Sequence, residues 1–188
     1  MYKHYNTDEG VRRQRQIENC LLETMQIAPY SQITVGDICL KVGLSRKSFY
    51  RYFSNKEHCL HSLLDHCILE ATVSCIADTP GDHSTTHAFE RYFTCWKQMS
   101  PLLDALCQNQ LATVLLERAM VCMTRSDMEF TSYFPANQAN DFHEQLLFIV
   151  CGTLGLVINW HLSGYQKTVE EMAGILDRLL ARTLSRTV

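Results

Sequence analysis

Proline is scarce in this chain, with four residues among 188. Because proline interrupts helices, its scarcity permits long ones. Helical spacing of apolar residues recurs along most of the sequence, and no convincing strand, internal repeat or low-complexity segment is present. We therefore predict an all-α protein that is long enough to bury a sizeable core.

Recognisable catalytic motifs are also missing. The sequence contains no G-x-G-x-x-G, no G-x-S-x-G and no Walker phosphate loop. It shows no nucleophile with a base and no paired carboxylates at a familiar spacing. We predict that the protein is not an enzyme and needs no cofactor.

The sequence lacks a long hydrophobic run and an apolar N-terminal segment. Its longest apolar stretch, residues 146–158, has 13 residues, including two glycines and a threonine, and is too short to span a bilayer unaided. The first 16 residues are polar and charged, unlike a signal peptide. We expect a cytoplasmic protein that is not associated with a membrane.

Cysteine is plentiful, with nine residues, but no C-x-x-C pair occurs. Single cysteines inside apolar helical stripes indicate small core residues in a reducing compartment. A thiol that senses oxidants is an alternative. It would need an exposed thiolate of low pKa, and the sequence gives no sign of one.

Histidine is the other residue type that could serve a sensor. His58, His61 and Asp65 share one face of a predicted helix, and His83 lies four residues before His87. Such spacings can hold a metal ion, but no tight group of Cys and His completes a ligand set. A solvated helix face is the simpler interpretation, so we predict no metal site and keep metal sensing as an alternative.

The formal net charge of −3 is unevenly distributed. Residues 1–56 contain nine Lys or Arg and five Asp or Glu, whereas residues 57–188 contain eight and fifteen. The N-terminal part is basic and the remainder acidic. This is the distribution expected if only the N-terminal part meets a phosphate backbone.

Residues 33–57 predict two short helices joined by a tight turn and followed by a third helix. Thr34 is a suitable N-cap, with Asp37 in the reciprocal position of a capping box. Gly43 can adopt the positive φ needed where the first short helix stops, and Ser45 can cap the next one. This arrangement is a helix-turn-helix.

The second short helix has two chemically different faces. Phe49 and Phe53, four residues apart, point one way, while Arg46, Lys47 and Tyr50 point the other. Arg and Lys can donate to guanine or phosphate, and Tyr hydroxyls suit phosphate oxygens. The pattern favours a helix that enters a DNA major groove, although an ordinary helical hairpin with a solvated basic face also fits the spacing.

These segments resemble a known family. The sequences TVGDI at 34–38, VGLSR at 42–46, FYRYF at 49–53 and NKE at 55–57 are similar to the DNA-binding domain of TetR-family bacterial transcriptional regulators. The resemblance implies a DNA-binding domain, 1–56, and a helical effector-binding and dimerisation domain, 57–188. It implies double-stranded DNA with a palindromic operator, a second copy of the chain and a small-molecule effector as partners.

By position, the resemblance also implies DNA contacts. Arg46, Lys47, Ser48 and Tyr50 would lie in or beside the major groove. The full set of implied DNA-binding residues is Thr34, Ser45, Arg46, Lys47, Ser48, Tyr50, Tyr52 and Lys56. Lys47 departs from the family pattern, which often has a small residue there, so the operator sequence does not follow from the resemblance.

A long helix is predicted from Lys56 to Asp78, ended by the turn signal DTPGD at 78–82. It would belong to both domains. Its position would therefore set where the recognition helix points.

A predicted helix at about residues 140–163 is apolar on nearly every side in its middle. Such a helix must be covered on two faces, and Gly152 and Gly155 would let another helix approach closely. We predict that it pairs, with the final helix, across a homodimer; a deeply buried core helix is the alternative. The predicted interface residues are Leu147, Cys151, Leu154, Ile158, Met172, Leu176 and Leu179.

Aromatic and methionine residues recur in the acidic part of the chain. Each alone fits an ordinary core, but by family analogy an apolar effector would bind among them. The predicted pocket residues are Phe89, Tyr92, Phe93, Trp96, Met99, Met120, Met123, Phe130 and Tyr133.

The sequence thus predicts a homodimeric TetR-type regulator, with a repressor released by an effector favoured over an activator. The alternative from another class is a TetR-like protein that docks on a partner protein and no longer binds DNA. The intact set of Arg46, Lys47, Tyr50 and Lys56 argues against that alternative.

Overall fold

The computed structural model describes residues 7–76, 84–124 and 142–184, which form nine α-helices and no strand. The predicted all-α class is confirmed. The helices are α1 (Asp8–Met25), α2 (Val35–Val42), α3 (Arg46–Tyr52), α4 (Lys56–Ile76), α5 (Thr85–Gln98), α6 (Ser100–Gln108), α7 (Ala112–Thr124), α8 (Phe142–Leu162) and α9 (Val169–Leu184), with a 3₁₀ turn at Tyr30–Gln32.

The chain forms two compact units. The described residues of the first are 7–66 and 101–113, and those of the second are 67–76, 84–100, 114–124 and 142–184. The boundary therefore lies inside α4, later than the predicted boundary after residue 56. Leu60, Leu63 and Leu64 are almost completely buried, so the first unit needs the first half of α4. The segment 101–113 joins the first unit from a distant part of the sequence.

In the first unit, α1 packs against α2, and α2 packs against α3. A buried polar network also ties α1 to α4. Gln14 donates to Ser62 Oγ at 2.8 Å, and Ser62 donates to Glu18 Oε1 at 2.6 Å. His66 Nδ1 lies 2.9 Å from Glu18 Oε2. The carboxylate of Glu18 is fully buried, and these partners satisfy it there.

The second unit is built around α5, which packs mainly against α9 and also against α8. Thr85 Oγ1 donates to Asp177 Oδ1 at 2.6 Å and joins α5 to α9. Phe93 and Trp160 meet edge to face, with 5.6 Å between their ring centroids. Both side chains are almost completely buried. Edge-to-face contact of this kind stabilises an aromatic core.

Among the described residues, helix α8 is covered on one side only. Leu154, Val157 and Trp160 are buried, whereas Phe148 is 65% exposed and Leu162 is 66% exposed. On the exposed side, a Cβ added to Gly152 or Gly155 would meet no atom within 4 Å. This leaves an apolar surface with room for another helix to approach closely.

The predicted dimer residues fall into a buried group and a partly exposed group. Leu154, Met172 and Leu176 are only 1%, 4% and 3% exposed. Their assignment to an interface is therefore corrected: they belong to the core of the protomer. Apolar spacing around α8 could not tell its inner face from its outer one. Leu147, Cys151, Ile158 and Leu179 keep part of their surface exposed.

One helix in the described part of the chain is long and apolar enough to cross a membrane by length and composition. It covers residues 144–162, 19 residues with a mean hydropathy of 1.6. The helix is longer than the apolar run of 13 residues seen in the sequence. A mostly buried core helix meets the same criteria, so one such helix is weak evidence for a membrane span.

Candidate nucleic-acid interface and ligand pocket

The start of α2 is fixed by a complete capping box between Thr34 and Asp37. The Asp37 amide donates to Thr34 Oγ1 at 3.2 Å, and the Thr34 amide donates to Asp37 Oδ2 at 2.8 Å. The Thr34 hydroxyl also donates to Asp37 Oδ2, at 2.7 Å. These bonds to the charged form lower the pKa of Asp37, with the Thr34 hydroxyl as the largest cause. The cap therefore depends on an ionised Asp37.

The turn between α2 and α3 follows the predicted chemistry. Gly43 has φ 71° and ψ 40°, the left-handed conformation that favours glycine. Leu44 donates its amide to the Cys39 carbonyl at 2.8 Å and closes the end of α2. Ser45 accepts from the Ser48 amide at 3.1 Å and caps α3. Both predicted caps are confirmed.

Helix α3 is held by its inner face. Phe49 and Phe53 are 0% and 1% exposed, and their rings lie 5.7 Å apart. Tyr50 is 53% exposed, and Arg46 and Lys47 are also exposed. The predicted division into a packing face and a free basic face is confirmed.

The guanidinium of Arg46 lies against the first turn of α2. A Cβ on Gly36 would come within 2.8 Å of Arg46 Nη2. The missing side chain of Gly36 therefore makes room for Arg46. Arg46 also contributes to the low pKa of Asp37, which places a positive and a negative group side by side on this surface.

The side chain of Lys56 is engaged inside the first unit. Its ammonium donates to the carbonyl oxygens of Tyr30, at 2.7 Å, and Ile33, at 2.9 Å. The resemblance implied a phosphate contact for this residue. The structure gives it a positioning role in the connection between α1 and α2, which leads directly to Thr34.

A second positioning residue, Asn109, was missed by the sequence analysis. Its Oδ1 accepts from the Tyr30 amide at 2.5 Å, and its Nδ2 donates to the carbonyls of Ala105 at 2.8 Å and Met25 at 3.5 Å. Asn109 and Lys56 thus both bind the backbone of Tyr30 and hold this turn in place. No local signal could reveal this, because residue 109 is far away in sequence.

All eight predicted DNA-binding residues lie in the first unit. Thr34, Ser45, Arg46, Lys47 and Tyr50 are exposed, whereas Ser48, Tyr52 and Lys56 are partly covered. Ser48 Oγ lies 2.9 Å from Ser45 Oγ, so the two hydroxyls are coupled.

The second unit contains a cavity of about 100 Å³. Its lining is mostly apolar, from Phe89, Ile149, Leu154 and other side chains. Its polar groups include Tyr92 and Thr153. Tyr92 donates to Thr153 Oγ1 at 3.4 Å, and Thr153 donates to the Val150 carbonyl at 3.0 Å. Burial raises the pKa of Tyr92 to about 12, so its hydroxyl stays protonated at neutral pH.

The predicted pocket residues are only partly brought together. Phe89, Tyr92 and Trp96 line the cavity. Phe93 packs on Trp160 instead, and Met99, Met120 and Met123 do not belong to the lining. Phe130 and Tyr133 lie outside the described residues. The lining residues that the sequence analysis missed are Ile68, Thr72, Cys75, Ile149, Val150, Thr153, Leu154 and Leu176.

The sensor alternatives gain no support from the described residues. Burial is the largest cause of a raised pKa at six thiols, the opposite of what a reactive thiolate needs. These are Cys20, Cys39, Cys59, Cys75, Cys95 and Cys107. Within residues 7–76, 84–124 and 142–184, no three Cys, His, Asp or Glu side chains form a metal-ligand group. His83 lies outside these ranges.

The helix-turn-helix region matches a known family. Residues 22–63 match the sequence profile of the bacterial regulatory proteins of the TetR family. A TetR-family transcriptional regulator from Syntrophomonas wolfei has a similar structure, with a TM-score of 0.60 and 16% identity over 95% of this chain and 97% of that one. The N-terminal helix-turn-helix of this chain is therefore similar to that of TetR-family regulators.

Two further solved structures share the fold. The fatty acid degradation regulator FadR from Bacillus halodurans has a TM-score of 0.57 and 19% identity, over 94% of this chain and 96% of that one. The TetR-family repressor AlkX from Dietzia sp., implicated in biodegradation of n-alkanes, has a TM-score of 0.57 and 17% identity, over 92% and 95%. At such identities the likeness to TetR-family regulators shows a common fold. No functionally curated protein matches the chain in sequence.

Proposed function

We propose that this chain is a TetR-family DNA-binding repressor that acts as a homodimer and is released by a small apolar effector. The observation that carries the DNA-binding part is the geometry of α3. Phe49 and Phe53 anchor its inner face, and the exposed outer face presents Arg46, Lys47 and Tyr50. A short basic helix held in this way can enter the major groove and contact base edges and phosphates.

The uncovered side of α8 supports the homodimer. This side contains the exposed side chains of Phe148 and Leu162 and the two glycines Gly152 and Gly155, which leave space for a neighbouring helix. A second copy of the same surface would cover it in a symmetric, self-complementary contact. Two recognition helices related by a two-fold axis then require a roughly palindromic operator, with half-sites about one DNA turn apart or slightly more.

The cavity in the second unit supports release by an effector. Its mostly apolar lining suits an apolar ligand, and two structural neighbours are named for fatty acid degradation and n-alkane biodegradation. Because α4 contributes residues to both units, a ligand that prefers one position of α4 would change the separation of the two recognition helices. Distances between spin labels on the two α3 helices should change when ligand binds. An unchanged separation with ligand bound would remove this mechanism.

The test of DNA binding is enrichment of genomic fragments by the full chain in about 150 mM salt, beside a variant with Arg46→Ala and Tyr50→Ala. Lys167→Ala serves as the charge control, because Lys167 is exposed and the variant keeps its backbone carbonyl, which accepts from Trp160. We expect a palindromic site with wild type and the control, and none with the double variant. Absence of any enriched site with an intact dimer would favour the partner-docking alternative.

The sign of regulation needs a separate measurement. A reporter placed behind the enriched site should be expressed more strongly when the protein is removed. Lower expression on removal would make the protein an activator.

A further inference from the structure

The polar corner of the cavity contains a buried donor without an acceptor. Trp96 is 1% exposed, lines the cavity, and lies beside the hydroxyl of Tyr92. Its Nε1 has no partner in hydrogen-bond geometry among the described residues, although the nearby indole lowers the pKa of Tyr92 against the larger effect of burial. A buried donor left unpaired is costly, so this N–H favours any ligand that brings an acceptor.

The hydroxyl groups of the lining are already committed as donors. Tyr92 donates its proton to Thr153, and Thr153 donates to the Val150 carbonyl. Thr72 donates to the Ile68 carbonyl at 2.8 Å. Among the described lining residues, Trp96 therefore carries the N–H that a ligand oxygen would meet, with the Tyr92 oxygen beside it.

The charge of the lining limits the ligand further. None of the described residues that line the cavity is Asp, Glu, Lys, Arg or His. An ionised carboxylate or amine buried here would have no counter-charge, and its desolvation would be strongly unfavourable. The cavity is also small. Its volume is about 100 Å³, whereas a dry cavity of about 150 Å³ holds one benzene molecule.

From these three observations we infer the chemical class of the effector: a small neutral molecule with an apolar body and an acceptor oxygen that binds the indole N–H of Trp96. A ketone, an ester or an alcohol has this chemistry, whereas a free carboxylate does not. This inference rests on the proposed effector site, but its test does not depend on DNA binding.

The test uses nuclear magnetic resonance of the ¹⁵N-labelled full chain. The chain has two tryptophans, so its spectrum contains two indole N–H signals, and Trp96→Phe and Trp160→Phe assign them. The indole of Trp160 already donates to the Lys167 carbonyl at 2.9 Å and acts as an internal control. The probes are acetone, isobutene, which has the same shape without the oxygen, and acetate, because each is smaller than benzene and so suits a cavity of about 100 Å³.

Acetone should shift the Trp96 signal saturably and leave the Trp160 signal nearly unchanged. It should bind roughly fivefold more tightly than isobutene, since one hydrogen bond separates them. Trp96→Phe should remove this preference, and Trp160→Phe should keep it. If Trp96→Phe fails to fold, the preference in wild type and in Trp160→Phe still decides the question.

Equal binding of the ketone and the hydrocarbon would overturn the inference. Tighter binding of the carboxylate, or no response of Trp96 to acetone, would do the same. DNA binding is measured on the same preparation. A protein that binds the palindrome but shows no Trp96 response refutes only the ligand class, and one that shows the ketone preference without binding DNA refutes only the regulator.

Discussion

The side chain of Lys56 contacts Tyr30 at two places, the backbone carbonyl and the aromatic ring. The Lys56 ammonium donates to the Tyr30 carbonyl and also lies 4.4 Å from the centroid of the Tyr30 ring. A cation at this distance from an aromatic face is attracted to it. The same ammonium donates to the Ile33 carbonyl, next to the cap of α2. Lys56 thus links the start of α4 to the start of the helix-turn-helix.

Replacing Lys56 should therefore reduce stability as well as DNA binding. Lys56→Met keeps most of the side-chain length but leaves two carbonyls without their donor, so we expect a loss of about 1–3 kcal/mol in the free energy of unfolding. Urea denaturation measures this loss. Lys47→Met is the matched control. Because Lys47 is exposed, the free energy of unfolding of this variant should differ from wild type by less than about 0.5 kcal/mol.

The two lysines should also differ in the salt dependence of DNA binding. Lys47→Met should reduce the slope of log affinity against log salt by about one for each phosphate that the side chain no longer neutralises. A Lys56→Met protein of wild-type stability with a reduced salt slope would contradict the positioning role and restore a phosphate contact.

Gly36→Ala should separate DNA binding from stability. The new Cβ would come within 2.8 Å of Arg46 Nη2, at the end of a flexible side chain, and within 3.3 Å of Thr34 Oγ1 in the cap of α2. Arg46 should therefore move away, the Thr34 hydroxyl should shift slightly, and the fold should remain. Alanine in a helix is favoured over glycine by up to about 1 kcal/mol, so the free energy of unfolding should be equal or higher. Operator affinity should fall roughly tenfold if Arg46 makes a base contact.

Gly174→Ala is the control for this change. Gly174 lies in α9, where a Cβ would come within 3.2 Å of Arg178 Nη1, and it belongs to the second unit. The operator affinity of the Gly174→Ala protein, measured by fluorescence anisotropy, should stay at the wild-type value. Wild-type affinity in Gly36→Ala as well would mean that the position of Arg46 is unimportant for DNA binding.

Phe148→Glu should dissociate the homodimer without unfolding the protomer. Phe148 is 65% exposed, so the protomer does not need it, but a carboxylate buried between two copies would cost several kcal/mol. Sedimentation at micromolar concentration should show a monomer with wild-type helicity. Glu144→Gln, an exposed change in the same helix, should remain dimeric. A dimeric Phe148→Glu would move the interface away from α8.

The acid stability of the helix-turn-helix should depend on Thr34. The native pKa of Asp37 lies below its ordinary value, so the ionised form stabilises the fold. That contribution is present above the ordinary pKa and is lost as the pH falls through the lowered native pKa. In Thr34→Ala the Asp37 pKa should rise toward its ordinary value, and in Thr34→Ser it should stay low. Carboxyl chemical shifts followed against pH measure both values, and equal values in wild type and Thr34→Ala would refute the proposed cause.

Local chemistry made the helix-turn-helix predictable. Thr34, Gly43 and Ser45 each act within a few residues of their own position, through caps and a positive φ, so the sequence shows where α2 and α3 begin and end. The opposite faces of Phe49 and Tyr50 follow from helix periodicity alone. The candidate DNA surface therefore follows from short-range patterns in the sequence.

The cavity and the role of Lys56 depend on residues that are distant in sequence. The sequence analysis assigned Leu154 and Leu176 to the interface because α8 is apolar on nearly every side and the last helix has a matching apolar stripe. Periodicity cannot show which apolar side packs in the protomer's own core. Trp96, Tyr92 and Thr153 form one polar corner only because α5 packs against α8. Capping, turns and helix faces were thus determined by the sequence through short-range interactions. The tertiary structure alone decided which apolar surfaces are covered and which buried donor is left without an acceptor, because both depend on contacts between distant segments.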